Sequence, residues 1–369
     1  MKLLKLPFRV CFLFAVWILV LPCTQARQII EDPDTIKIGL LIPSIKSLEA
    51  RHGAEMAIRK ANEGGGSKGH PFRLVIRSME GPWGTGSKQA VDLIFKDHVW
   101  AIMGSHDGRN AHLVEQITTK TNIVFLSSWA GDPTLSKAFV PWYFSCVPND
   151  LQQAKAMIED IYLKKKISKV GAVSDNGYDS KLALKSFIKE TKIAGNADPV
   201  QFFYDDSARN FHNLPDQIIK ADVSCIILFG QPDASMKIIN ELRKRKTELK
   251  IFALLSVLGE GKLSVPEMEQ YDSIMLVSSG YWLRVPGKVF REEFYKNYGD
   301  IPGEVAAYAY DGMNVILEAV RNSGLDRDKL RDTMAKTYYQ GVTGLIQFDD
   351  KGNRLGKPLL IEIKKEKLP

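Results

Sequence analysis

Residues 100–133 constrain the fold more than any other stretch of this chain. Trp100-Ala-Ile-Met-Gly104 is a short apolar run that ends in a polar loop, Ser105-His-Asp-Gly-Arg109. About a dozen helix-patterned residues follow, then Ile123-Val-Phe-Leu126 and a second polar loop, Ser127-Ser-Trp-Ala-Gly-Asp-Pro133. Two apolar runs bounded by turn residues and joined by a helix make a βαβ unit with parallel strands. Both loops then leave the carboxyl ends of neighbouring strands and open on one crevice, where open α/β sheets bind their ligands. They bring together Ser105, Asp107, Arg109, Ser127, Ser128 and Trp129, with glycines that let a small molecule approach the backbone.

The same alternation runs through the rest of the chain. Strand patterns at 36–42 and 72–76 alternate with helix patterns at 49–62 and 87–97. A second series begins near Asp150. It has helices to Lys164 and over 178–193, 213–221 and 234–243, and strands at 169–174, 201–204, 223–229 and 250–255. Strands separated by helices of this length predict parallel sheets covered on both faces. Two series of about five strands exceed one comfortable core, so the chain reads as α/β with two doubly wound lobes. The last part returns to helix at 289–298, 305–321 and 326–335, then ends in strands at 345–348 and 358–363. The turn Asp349-Asp-Lys-Gly-Asn353 joins these two as a hairpin-like pair.

At the amino terminus, Lys2, Lys5 and Arg9 precede an apolar run from Val10 to Leu21, and Thr24-Gln25-Ala26 offers a small-x-small cleavage pattern. Residues 1–26 therefore read as an export signal. The apolar run is shorter than the roughly 20 residues a spanning helix needs. Lipidation at Cys23 is an alternative, though Pro22 directly before it fits poorly. Without those three basic residues the formal charge falls from +7 to +4, a spread-out excess that gives no support to nucleic-acid binding. The remaining cysteines, Cys146 and Cys225, lie in apolar runs and read as buried thiols in preference to a disulfide. His52 and His70 read as exposed.

Enzymatic readings find little. There is no GxSxG, HExxH or Walker sequence, and Gly81-Pro-Trp-Gly-Thr-Gly-Ser-Lys88 lacks phosphate-loop spacing. Adjacent Ser105, His106 and Asp107 cannot by themselves form a nucleophile–base relay. No motif calls for a metal or cofactor. The binding readings each have a plain structural counterpart. Ser105, Asp107, Gly108 and Arg109 can hold a ligand's charged head at a helix N-terminus, or Asp107 or Ser105 can simply cap that helix. Ser128, Trp129, Ala130 and Gly131 can stack and hydrogen-bond a ligand, or Trp129 can close the core. Tyr178, Gln231 and Ser256 stand at carboxyl ends of second-series strands, facing the same crevice or packing locally.

Several segments resemble type I periplasmic binding proteins, in particular the branched-chain amino acid-binding proteins of ABC importers. They are Ile36-Lys-Ile-Gly-Leu-Leu41, Gly53-Ala-Glu-Met-Ala57, Asn62-Glu-Gly-Gly65 with Gly69, Ala101-Ile-Met-Gly104 and Ile123-Val-Phe-Leu-Ser127 with Asp132-Pro-Thr-Leu135. Thr343-Gly-Leu-Ile-Gln-Phe-Asp349 with Gly352-Asn353 completes the set. The resemblance implies two Rossmann-like lobes, 36–147 plus 280–341 and 148–279 plus 342–369, joined by three crossings and closing on a solute. It further implies a membrane permease as partner, with ligand sensing without transport as the alternative role. This chain departs from the family where the ligand is read. Gly108 and Gly131 stand where hydroxyls hold the α-carboxylate, Gln231 replaces an aromatic, and Ser256 replaces the acid that pairs with the ammonium. A buried zwitterion needs both charges met. Arg109 can supply the carboxylate partner, and Asp107 or Glu260 the ammonium partner.

Overall fold

The computed structural model describes residues 34–82, 84–104, 107–137, 140–205, 213–245, 248–259 and 271–364. Residues 1–26, expected from the sequence to be an export signal, lie outside them. Strands β1 (Ile36–Ile42), β2 (Phe72–Ser78), β3 (Ala101–Gly104), β4 (Val124–Ser127) and β5 (Tyr143–Ser145) form a parallel sheet in the order β2-β1-β3-β4-β5. A second sheet, in the order β13-β10-β9-β8-β6-β7, contains β6 (Val170–Asp175), β7 (Val200–Tyr204), β8 (Cys225–Leu228), β9 (Lys250–Ala253), β10 (Ile274–Ser278) and β13 (Leu359–Glu362). All neighbours in it are parallel except β13, which runs antiparallel to β10. A separate two-stranded ribbon pairs β11 (Tyr339–Gly341) with β12 (Gly344–Ile346).

The first sheet is covered on both faces, as its strands' near-continuous apolar runs require. Ala101, Met103, Val124 and Leu126 join the core shared with α1 (Leu48–Glu63) and α9 (Glu304–Ser323). Ile102 and Phe125, the alternate residues, pack with α2 (Thr85–Phe95) and α3 (Gly108–Thr121). α1 and α9 lie close together because Gly53 has no side chain: a Cβ there would sit 2.3 Å from the Ala306 carbonyl oxygen. The second lobe is wound from α4 (Asp150–Ile158), α5 (Tyr178–Ile193), α6 (Leu214–Lys220) and α7 (Pro232–Lys244). α4 continues as a π-helical turn over Glu159–Lys164. α8 (Val285–Tyr298) and α10 (Arg327–Ala335) flank α9 in the first lobe.

The chain crosses between lobes three times, after β5, after β10 and at the ribbon, and buried polar groups pin each crossing. Glu304, at the start of α9, accepts from Ser279 N at 3.1 Å and Ser279 Oγ at 2.7 Å, and also from the Ser278 hydroxyl. Asp311, on the same helix, accepts from Val342 N at 3.0 Å, Thr343 N at 2.7 Å and Thr343 Oγ1 at 2.5 Å. Arg354 donates to the carbonyls of Cys146 (2.8 Å), Thr343 (2.9 Å) and Leu345 (3.0 Å), tying the first crossing to the third.

Four sequence expectations need correction. The final strands do not form a hairpin-like pair, because β12 pairs with β11 while 359–362 completes the edge of β10. The turn at 349–353 closes only the Phe348–Arg354 bridge, since Arg354 is drawn into the crossings. β5, β10 and β11 were not expected as strands; β5 and β11 are three residues long, too short for a period to show. Most helix and strand ends shift by one to four residues, as capping and pairing decide them. His52 is half-buried and stacks on Tyr298, with centroids 4.0 Å apart, whereas His70 is exposed. Cys146 and Cys225 are buried free thiols in different lobes.

Asp311→Ala leaves two buried backbone donors and the Thr343 hydroxyl without an acceptor, so we expect a loss of about 3 kcal/mol in denaturant unfolding. A loss below about 1 kcal/mol would show that water replaces the carboxylate there.

Candidate ligand-binding cleft

The carboxyl ends of β3, β4, β6, β8 and β9 carry the loops that meet between the lobes. After β3, Asp107 caps α3, accepting from Asn110 N at 2.9 Å and Asn110 Nδ2 at 2.7 Å. After β4, the chain turns through Ser128, Trp129, Ala130, Gly131 and Asp132. The Ser128 hydroxyl is turned inward to the Gly104 carbonyl at 3.1 Å, while half-buried Trp129 lies edge-on to Tyr308 with centroids 6.4 Å apart. The gap is a cavity of about 490 Å³, within the range of small-molecule sites. Trp129, Ala130, Gly131 and Asp132 line it from one lobe. Asp150, Gln153, Asp179, Phe229, Gln231 and Ser256 line it from the other.

Direct contacts bridge the lobes at its rim. Gly108 N donates to the Asp179 carboxylate at 3.1 Å, so the α3 N-terminus is met by an anion from α5. The Tyr178 hydroxyl donates to Asp132 Oδ2 at 3.1 Å, and the Arg109 guanidinium lies 5.2 Å from the Tyr178 ring centroid. Arg109 itself is exposed and borders an adjoining cavity at the mouth with Asp175, Tyr178 and Asp205.

The cleft is acidic. Asp107, Asp132, Asp150, Asp179 and Asp233 line the main cavity, and no Lys, Arg or His does so among the described residues. Burial opposes ionisation of Asp132, but His112 (3.0 Å), Thr134 Oγ1 (2.6 Å) and Thr134 N (2.7 Å) hold its carboxyl below the usual range. The same contact, helped by Glu115, pushes His112 up to about 9. Burial, together with Asp107, pushes Asp179 up to about 6. Asp150 is pushed well above the carboxylate range by burial and by Asp179 and Asp132. No group of three or more His, Cys, Asp or Glu side chains able to hold a metal occurs among the described residues.

A family model described as periplasmic binding protein matches residues 35–362. The chain belongs to the periplasmic binding protein family. Its fold is shared with solved structures of low identity. The branched-chain amino acid transporter substrate binding protein LivJ of Streptococcus pneumoniae, in complex with isoleucine, is 21% identical with a TM-score of 0.78, covering 90% of this chain and 97% of its own. The leucine binding protein LivK of Thermotoga maritima is 18% identical with a TM-score of 0.74, covering 89% and 95%. A solute binding protein of R. palustris, in complex with benzoate, is 16% identical with a TM-score of 0.76, covering 89% and 96%. A curated relative, glutamate receptor 3.1 of Oryza sativa subsp. japonica, is 22% identical over 244 residues, and this chain spans 25% of its length. No described helix is long and apolar enough to cross a membrane.

In this periplasmic binding protein, Asp107, Trp129, Ala130, Gly131, Gln231 and Ser256 line the main cavity, and Arg109 and Tyr178 stand at its mouth. Ser128 and Gly108 do not line it, since their donors are turned to Gly104 and Asp179. Ser105 and Glu260 lie outside the described residues. Asp107 is the helix cap that the local reading allowed, so the expected ammonium partner is engaged with Asn110. Sequence reasoning missed Asp132, Asp150, Gln153 and Asp179. Asp179 had a signal, its place beside Tyr178; Asp150 had only its position just after Asn149, a capping residue.

His112 gains its partners on folding, so its raised affinity for a proton stabilises the fold fully below its ordinary value of 6.5, and this is lost as pH rises through about 9. We expect His112→Ala to lower the melting temperature most at pH 6–6.5, with the deficit shrinking by pH 10 in calorimetry. A deficit independent of pH would assign His112 to packing alone.

Proposed function

We propose that this protein is an extracytoplasmic solute receptor that captures an amino acid or a similar small polar molecule between closing lobes and delivers it to the membrane permease of an ABC transporter. The observation that carries this reading is a cavity of about 490 Å³ whose walls come from both lobes. A ligand that contacts both walls is bound fully only when the lobes close, so its differential affinity shifts the population to the closed form. The closed form then presents a rim that the open form lacks, and this rim is what a permease can distinguish. Proteins of related fold in complex with isoleucine or benzoate support a small organic ligand. The signal-like segment at 1–26 supports an extracytoplasmic location. Binding without chemistry accords with the family, and no nucleic acid takes part.

A second reading is ligand sensing without transport. The partial likeness to a plant glutamate receptor favours it, because there the matched length is a quarter of a larger chain. Co-purification with a permease and its ATPase separates the two.

A thermal-shift screen over amino acids, amines, carboxylates and amides tests the receptor reading. A compound at about 100 times its Kd stabilises the protein by about 2.7 kcal/mol. Trp129→Ala should weaken any hit about tenfold or more, through loss of aromatic contact. Screens in which nothing raises the melting temperature would remove solute capture.

A further inference from the structure

Among the described residues, the acidic cleft contains a buried carboxylate that no hydrogen bond or ion pair engages, that of Asp150. Asp150 keeps only 8% of its surface exposed and lines the cavity. Its backbone N–H donates to Gly131 O at 2.8 Å, but its carboxylate has no hydrogen bond or ion pair among the described residues. Gly131 is what leaves room beside it: a Cβ there would come within 2.6 Å of Asp150 Oδ1. An unpaired buried carboxylate is costly, so burial favours its protonated form and a cation would favour the charged one. The charged groups facing it are also acidic, Asp132 from the loop after β4 and Asp179 from α5. Behind them stand Asp107, His112, held by Asp132, and Arg109, which acts on Asp179 from the mouth.

The anion position is already filled from within. The Gly108 amide at the α3 N-terminus, where a ligand carboxylate is expected to dock, is occupied by Asp179 at 3.1 Å. The hydroxyl that Ser128 could have offered is turned to Gly104. The cavity thus holds a buried acid awaiting a positive charge, and no basic side chain among its described lining residues.

We infer that the cleft takes a solute bearing an ammonium or amidinium group, seated against Asp150 with Asp179 beside it, and that this cation and not a carboxylate is what the site selects. The inference rests on the solute-receptor reading and names the chemistry that reading left open. It implies that amines lacking a carboxylate bind as well as amino acids of the same side chain.

Matched probes test it. The common amino acids, the amines left by their decarboxylation, and the carboxylates left by their deamination are screened by thermal shift, and hits are measured by calorimetry. We expect hits among the amines, with or without a carboxylate, and none among the deaminated acids. Asp150→Asn should weaken amine binding about tenfold to a hundredfold, as loss of a charged hydrogen-bond partner does. Asp179→Asn, which keeps an acceptor for Gly108 N, should weaken it less. A ligand-free readout accompanies this. Because folding raises the affinity of Asp150 for its proton, its stabilising share is complete below about 4 and is lost as pH rises. Asp150→Asn without ligand should therefore melt above the parent at pH 7.5 and level with it near pH 4. Binding of deaminated acids that survives Asp150→Asn would overturn the inference and leave the receptor reading intact. So would an Asp150→Asn protein equally destabilised at both pH values, since the carboxylate would then have a structural partner. If no compound of any class binds, the receptor reading fails and takes this inference with it.

Discussion

Two carboxylates on one helix hold this molecule in the form that creates a cleft. Glu304 and Asp311 lie seven residues apart on α9, two turns of one helix, and each accepts from a different chain crossing. Arg354 then joins the first crossing to the third through carbonyl oxygens. All three groups are buried, where a missing partner is costly and a complete network specifies one geometry. Burial pushes Glu304 up to about 7 even with three donors around it. The crossings are therefore fixed at the hinge side, while the opposite rim is held by a few contacts from α5 to the first lobe.

That asymmetry is what a two-lobed receptor requires. The hinge is dense in buried hydrogen bonds, and the described rim contacts include an amide–carboxylate bond, a hydroxyl–carboxylate bond and a cation–π contact. Interactions at the half-exposed rim are weak enough to be exchanged for ligand contacts. The loops that form it come from strand carboxyl ends, where the sheet's own hydrogen bonds no longer constrain side chains. Acidic residues accumulate there from both lobes, and burial between them makes the site hungry for positive charge.

Much of the architecture was legible because it follows local periods. Apolar runs of four to seven residues separated by helices announced parallel sheets, and α5 begins and ends where its pattern does, at Tyr178 and Ile193. What failed were elements defined by a partner. β13 was assigned to a hairpin with its neighbour in sequence, yet the unpaired edge of β10 captured it. β5 and β11 have too few residues to show any alternation.

For the site, the sequence by itself determined which loops open on the crevice, since strand direction follows from the βαβ pattern and handedness rules. It therefore singled out Trp129, Gly131, Tyr178, Gln231 and Ser256 as cleft residues. Only tertiary structure decided which of the polar groups are free for a ligand. Asp107 and Asp150 look alike in sequence, each at the start of a helix, but one is satisfied by Asn110 and the other faces two further carboxylates. Asp107 meets a partner three residues along the chain, whereas Asn149 takes the cap before Asp150 and leaves that carboxylate to whatever other parts of the chain bring near it. Electrostatic free energy depends on distance in space and not along the sequence.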